Sequence, residues 1–162
     1  MSRTAAAPGP RLLALWTRLS RLPWGSWAFS RILGRMVPYS GTIGARVEAL
    51  EPGYARIRLP DRRSVRNHLG SVHAVALANL GELASGLAVL TGLPPEVRGI
   101  VTRLETRYTK KARGSLVAEA RVTVPTVSQP IDHGVAAEIR DASSDVVATV
   151  RVDWRLAPAA PS

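Results

Sequence analysis

Two hydrophobic patterns organise the chain after residue 41. Apolar and polar positions alternate with period two along two stretches before residue 60 and along further stretches after residue 100. Such alternation is typical of antiparallel strands that bury one face and expose the other. The alternation is weakest in the third of these stretches. The pattern predicts strands at residues 43–50, 54–59, about 100–111, 116–124, 135–140 and 146–155.

One long helix is predicted between the second and third strands, over about residues 72–90. Its residues are apolar on nearly every side, which is typical of a helix buried all round. We expect the Ser71 hydroxyl to cap its start and Gly92 and Pro94 to end it. The predicted architecture is α+β, with one central helix wrapped by a six-stranded antiparallel sheet. Small residues that would let this helix approach a curved sheet closely are Gly81, Ser85 and Gly86.

The chain before the sheet is basic and amphipathic. Residues 1–10 are predicted to be disordered, residues 11–37 to form a helical arm, residues 38–157 the domain, and residues 158–162 a tail. The arm either packs against the body and closes its core, or lies on an anionic membrane or an acyl chain. Its apolar positions at helical spacing are Leu12, Leu15, Trp16, Leu19 and Leu22, followed by Trp27, Phe29, Ile32, Leu33 and Met36.

Charge is distributed unevenly along the sequence. The net charge is +10, and seven arginines with no acidic residue precede Glu48. The body lacks basic residues interleaved with aromatics, so we do not expect nucleic-acid binding. A cytoplasmic location is expected, with the mitochondrial matrix as the alternative if the Arg-rich, acid-free arm is a transit peptide.

Several classes of chemistry are excluded by composition. The absence of cysteine excludes disulfides and thiolate catalysis. With three histidines and no thiol, no metal site is expected. No apolar run is expected to be long enough to span a bilayer.

Glu82 is the strongest candidate for chemistry. It is the one ionisable residue of the predicted helix after His73, and a helix buried all round would bury it too. A buried carboxylate needs a partner, a water or a raised pKa, and such groups concentrate at functional sites. A solvent edge or a stabilising arginine would explain it equally well. His73 lies near the helix N-terminus, where free N–H groups favour developing negative charge.

The stretch of residues 67–82 resembles the signature of PaaI-like hotdog acyl-CoA thioesterases. In that signature an Asn precedes Gly-x-x-His, and an acid follows nine residues after the His; Asn67, Gly70, His73 and Glu82 match these spacings. The flanking residues are similar to a poorly characterised hotdog subfamily whose members mostly have no assigned reaction. The resemblance covers roughly residues 38–156 and implies the hotdog fold.

The resemblance also implies roles. Glu82 would orient or activate water, or attack the thioester carbonyl; the Ala74 N–H and the Asn67 side chain would polarise the carbonyl oxygen; His73 would assist positioning or the leaving thiolate. Coenzyme A would enter only as part of the substrate, with no separate cofactor. Hotdog sites lie between protomers, so a homodimer or a dimer of dimers is implied. A basic cluster that could meet the CoA phosphates, or equally be a solvated strand end, comprises Lys110, Lys111 and Arg113.

One departure keeps a second hypothesis open. The family commonly has His-Gly-Gly, whereas this chain has His73 followed by Ala74 and Val75, whose side chains narrow the approach to the helix N-terminus. The sequence therefore predicts either a thioesterase or a non-catalytic acyl or acyl-CoA binding protein of the same fold. Hydration of an enoyl thioester would need an Asp/His pair in a different motif, which the sequence lacks.

Overall fold

The computed structural model describes residues 8–159. The helices are α1 (Gly9–Leu19), α2 (Gly25–Met36), α3 (Pro38–Gly41) and α4 (Ala74–Gly92), with a short 3-10 turn at Arg63–Val65. The strands are β1 (Arg46–Glu51), β2 (Tyr54–Leu59), β3 (Val97–Tyr108), β4 (Leu116–Arg121), β5 (Ile131–Arg140) and β6 (Val146–Pro158).

The six strands form one antiparallel sheet in the order β1-β2-β4-β5-β6-β3. The long helix α4 packs against the sheet and contacts all six strands. This confirms the predicted α+β architecture of one central helix and six strands. The weak alternation near residue 100 has a structural reason, because β3 lies at the sheet edge and pairs only with β6.

The α4 helix forms the centre of the core. By length and composition it could cross a membrane, contrary to the expectation from uninterrupted apolar runs, but most of it is buried inside the protein. It lies so close to β6 that a Cβ on Gly81 would stand 2.4 Å from Val150 Cβ. The predicted reason for a glycine in this helix is thereby confirmed for Gly81. The helix packs less tightly at Gly86, where a Cβ would lie 3.6 Å from Trp154.

The helix begins differently from the prediction. His73 is the N-cap, and its side chain accepts a hydrogen bond from the Val75 N–H, so the expected Ser71 cap is wrong. The Ser71 hydroxyl is instead buried without a hydrogen-bond partner among the described residues. The two-residue shift arises because Val72 is tied outside the helix, where its N–H donates to the Ala112 carbonyl over 2.8 Å.

The N-terminal arm packs on the body. Leu12, Phe29 and Leu33 are buried in the common core, and the Trp16 and Phe29 rings meet edge to face at 5.1 Å. This confirms that the arm closes the core. Helix α1 begins at Gly9, inside the stretch expected to be disordered; residues 1–7 of that stretch, and residues 160–162 of the predicted tail, lie outside the described residues.

Helix α2 also covers one edge of the sheet. The Ser26 hydroxyl donates to the Val47 carbonyl in β1, and the Val47 N–H donates to Ser30 Oγ over 2.9 Å. An exposed strand edge invites pairing with another chain, and covering it with a helix is a common protection. Within residues 8–159 the β1 edge is thus covered by α2, whereas the β3 edge has no comparable cover.

Candidate functional site

The loop before α4 fixes Asn67 in one orientation. The Asn67 Oδ1 accepts from the Leu69 N–H at 2.9 Å and from the Ser71 N–H at 3.1 Å, while the Asn67 N–H donates to the Ser71 carbonyl at 2.7 Å. An Asn side chain that accepts two backbone N–H groups has its oxygen occupied and retains its NH2 group as a donor. Asn67 is therefore prepared to donate, as polarisation of a carbonyl requires.

The N-terminus of α4 presents a free amide. His73 Nδ1 accepts from the Val75 N–H at 3.1 Å, so a neutral His73 ring carries its proton on Nε2. The Ala74 N–H has no acceptor among residues 8–159. First-turn amides lack partners within a helix and favour negative charge at that end. Ala74 and the exposed His73 ring thus offer two donors at the helix start.

Glu82 lies two turns further along the same helix. Its carboxyl is half-buried and has no hydrogen-bond or ion-pair partner among the described residues. Burial, with no neighbouring charge contributing, raises the pKa of Glu82 above its usual value. Eight residues of α-helix separate the Ala74 and Glu82 Cα atoms by about 12 Å along the axis and about 80° around it. The carboxyl lies near Gly86 and Trp154, since a Cβ on Gly86 would stand 3.8 Å from Glu82 Oε1 and 3.6 Å from the Trp154 ring.

One side of α4 carries two of these groups. The side of α4 that carries Ala74, Val75, Ala78 and Glu82 is more exposed than the rest of the helix, which is otherwise largely buried. Ala78 lies about one turn from Ala74 and from Glu82 and presents only a methyl group between them. Ala74 and Glu82 therefore share the more exposed side of α4, whereas Asn67 and His73 lie in the loop and at the N-cap before it.

Three polar groups near α4 were not predicted as site residues. Tyr108 Oη, at the end of β3, donates to the Ala74 carbonyl at 3.0 Å. Asn79 is buried one turn before Glu82, with its Nδ2 3.5 Å from the Tyr39 carbonyl. The Trp154 Nε1–H is buried without a partner among the described residues, and its ring and Glu82 Oε1 flank the same space beside Gly86. Asn79 could have been noticed as a buried amide in an apolar helix, whereas the other two depend on long-range packing.

The basic cluster divides into two parts. Lys110 Nζ pairs with Asp141 at 2.8 Å and with Asp145 at 2.5 Å, and these hydrogen bonds raise its pKa. Lys111 and Arg113 are exposed and have no carboxylate partner among residues 8–159. The charge of Lys110 is therefore already compensated. Within the described residues, no group of three or more His, Asp or Glu is placed to hold a metal ion.

Solved structures with similar folds include thioesterase-family proteins. A protein of unknown function from Pseudomonas aeruginosa, described as a probable thioesterase, matches with a TM-score of 0.74 and 28% identity over 85% of this chain and 97% of that chain. A thioesterase family protein from Silicibacter pomeroyi matches with a TM-score of 0.67 and 19% identity over 80% and 96%, a similarity that speaks for the fold alone. The expected hotdog fold is confirmed.

Sequence comparison gives a shorter match and a family. A Halobacterium salinarum protein named "putative esterase" is 36% identical over 85 residues, which span 49% of this chain and 56% of that relative. The chain thus covers little more than half of this relative's length. The model of a domain of unknown function, DUF4442, matches residues 25–156, from α2 through nearly all of β6. The protein therefore belongs to the DUF4442 family and has the hotdog fold of thioesterase-family proteins.

Proposed function

We propose that the protein is a thioesterase that hydrolyses an acyl-CoA, or a related acyl thioester, at a site between two protomers. The observation that carries this proposal is the half-buried, unpartnered Glu82 carboxyl on α4, the helix whose N-terminus carries the free Ala74 amide. A half-buried ionisable group with a perturbed pKa and no partner is a candidate for acid–base or nucleophilic chemistry. The Pseudomonas aeruginosa neighbour that is described as a probable thioesterase supports the same reaction class.

Glu82 would supply the base. The raised pKa makes its carboxylate a stronger proton acceptor than an ordinary glutamate. It takes a proton from water as the water oxygen attacks the acyl carbon, or it attacks that carbon directly. In the first route the C–S bond then breaks, the acyl group leaves as a carboxylic acid, and the thiolate receives the proton held by Glu82.

The donors at the helix start would hold the developing oxyanion. We assign the Ala74 N–H and the Asn67 NH2 group as the two donors to the carbonyl oxygen, because neither donates to an acceptor among residues 8–159. Preorganised donors of this kind contribute a large share of the rate enhancement in acyl transfer. His73, with its Nε2–H exposed at the same end, would position the thioester or protonate the leaving thiolate.

A homodimer, or a tetramer built from dimers, would complete the site. Among the described residues β3 leaves its outer edge unpaired, and its exposed large side chains include Ile100, Leu104 and Tyr108. Unprotected apolar edges favour pairing with another chain. A partner there would lie next to the Tyr108–Ala74 hydrogen bond and would shield the start of α4 from water. Lys111 and Arg113 remain available to the CoA phosphates, whereas Lys110 would first have to leave its aspartates.

The alternative is acyl binding without hydrolysis. The Val75 side chain is 54% exposed at the helix start, a position where the motif it resembles has glycine. A branched side chain there restricts how closely a thioester can approach the free amide. This observation favours an acyl or acyl-CoA binding protein as the second candidate.

For location we propose the cytoplasm. Phe29 and Leu33 of the arm are built into the domain core, and α2 covers the β1 edge. A cleavable transit peptide would not be expected to contribute core side chains, which weighs against the matrix alternative. Detection of the uncleaved chain in a cytosolic fraction would support the proposal, and a shortened chain inside mitochondria would contradict it.

Thiol release from a panel of short, long and aromatic acyl-CoA esters tests the reaction. We expect the wild type to cleave one class and Glu82→Gln to lose turnover, because the amide cannot accept a proton. Glu51→Gln, at an exposed carboxylate, is the matched control and should retain activity. Binding of the same esters is measured in parallel. Binding without thiol release in the wild type would select the non-catalytic alternative, and full activity in Glu82→Gln would refute the assigned role of Glu82.

A further inference from the structure

A cavity lies beneath helix α2, and none of the proposed catalytic residues lines it. It has a volume of about 400 Å3 and is bounded by α2, α3, the start of β1 and one residue of α4. Its apolar floor includes Leu33, Val47 and Leu83. The side chains of α2 and its neighbours therefore enclose a space that the proposed hydrolysis does not use.

Four arginines line this cavity: Arg31, Arg35, Arg46 and Arg62. None of the lining residues is acidic, and none of the four has a carboxylate partner among residues 8–159. Elsewhere most acidic side chains of the described region do form ion pairs with basic residues. Like charges gathered around one partly apolar space repel each other and attract an anion, because low-dielectric walls concentrate the field. The guanidinium group is the preferred partner of phosphate.

The surface around the cavity is apolar. Seven of the twelve large apolar side chains that are exposed in the described region fall between residues 22 and 39. They include Trp24, Trp27 and Met36, which are 57%, 54% and 58% exposed. Arg31 lies over the Trp27 ring at 5.9 Å from its centroid. Tryptophan and arginine together on an exposed helix face are typical of contact with a membrane interface.

We infer that the arginine-lined cavity receives the phosphate head group of an anionic phospholipid, and that the outer face of α2 docks the protein on a membrane surface. The absence of acidic residues before Glu48 makes this face complementary to anionic lipid. The buried face of α2 is already occupied by the protein core, so the exposed apolar residues belong to a separate surface. The inference does not depend on the proposed reaction.

Co-sedimentation with vesicles tests the docking directly. Full-length protein is mixed with vesicles of phosphatidylcholine alone and of phosphatidylcholine with phosphatidylglycerol. We expect binding to the anionic vesicles only, weakened by salt, with a blue shift of tryptophan emission as Trp24 and Trp27 leave water. Equal binding to both vesicle types, or no binding to either, would overturn the proposal.

Charge-matched variants test the role of the arginines. Each basic residue near an anionic surface contributes about fivefold in binding, so Arg31→Gln with Arg35→Gln should weaken binding about 25-fold. The control variant, Arg98→Gln with Arg121→Gln, loses the same two positive charges, but from exposed residues outside the cavity. It should bind nearly as the wild type does. Equal losses in both variants would mean that net charge alone drives binding, which contradicts a dedicated site.

Two further variants separate the cavity from the surface. Ala45→Phe places a ring in the cavity without changing the charge and should abolish the preference for anionic lipid, whereas unchanged binding would refute head-group entry. Trp24→Ala with Trp27→Ala should weaken vesicle binding and leave the sedimentation coefficient of the free protein unchanged. A change of oligomeric state in this variant would show that a second copy covers the surface, and the membrane proposal would fail.

Discussion

Gly81 lies where α4 comes closest to the sheet, and its replacement by alanine is the sharpest test of the packing. The added Cβ would lie 2.3 Å from Val150 Cγ2 and 2.4 Å from Val150 Cβ. Val150 is fully buried in β6, so its side chain has no space in which to turn away from the added Cβ. The helix itself must therefore move by about 1 Å. Overpacking of this kind costs about 1–3 kcal/mol, and a clash with a rigid Cβ belongs at the upper end.

The helix propensity of alanine acts in the opposite direction. Replacing glycine by alanine inside a helix gains about 0.8–1.0 kcal/mol. The net effect of Gly81→Ala is therefore a loss of about 2 kcal/mol. For a protein of this size each kcal/mol changes Tm by about 2–4 °C, so we expect Tm to fall by about 4–8 °C.

Gly86→Ala is the matched control on the same helix. Its Cβ would make only ordinary contacts, 3.6 Å from Trp154 and 3.8 Å from Glu82 Oε1. Gly86→Ala should gain only the stabilisation that comes from the higher helix propensity of alanine, and it should raise Tm by about 2–4 °C. Thermal unfolding followed by circular dichroism measures both. If Gly81→Ala raises Tm as Gly86→Ala does, the close approach of α4 to β6 is not the reason for the glycine.

Three other substitutions test the site and the arm. Burial raises the pKa of Glu82, so its ionised form destabilises the fold, and stability is lost as pH rises from the unfolded pKa through the folded pKa. Glu82→Gln should therefore be more stable than the wild type in neutral buffer, and the difference in stability should narrow in acid. An equal difference at neutral and at acid pH would refute this reasoning. Asn67→Ala removes an acceptor from the Leu69 and Ser71 amides and should cost about 1–2 kcal/mol in urea unfolding, whereas Asn67→Asp should cost less. Phe29→Ala should lower stability by about 3–5 kcal/mol, and a loss below about 1 kcal/mol would mean that the arm is not part of the core.

The element order and the motif could be read from the sequence because they depend on local regularities. Period-two alternation identified five of the six strands clearly, and an apolar stretch without a polar face identified α4 as the buried helix. The edge strand β3 was harder to recognise because both of its faces are largely exposed. Asn67, His73 and Glu82 were assigned through the resemblance of residues 67–82 to a family signature, which can be recognised because its spacings are fixed along 16 residues.

Tertiary structure decided how those residues are partnered. His73 rather than Ser71 caps α4 because Val72 pairs with Ala112, about 40 residues away in the chain. Lys110 is compensated by aspartates of the β5–β6 turn, a contact that no local pattern announces.

The N-terminal arm shows most clearly what the sequence determines and what only the tertiary structure decides. Its sequence established an amphipathic, basic helix, which is consistent with packing and with membrane contact. Only the folded chain shows that Phe29 and Leu33 occupy the core while Trp24 and Trp27 remain exposed. The physical reason is that hydrophobic periodicity depends on neighbours within a few residues, whereas burial depends on which distant surfaces are available to cover each face.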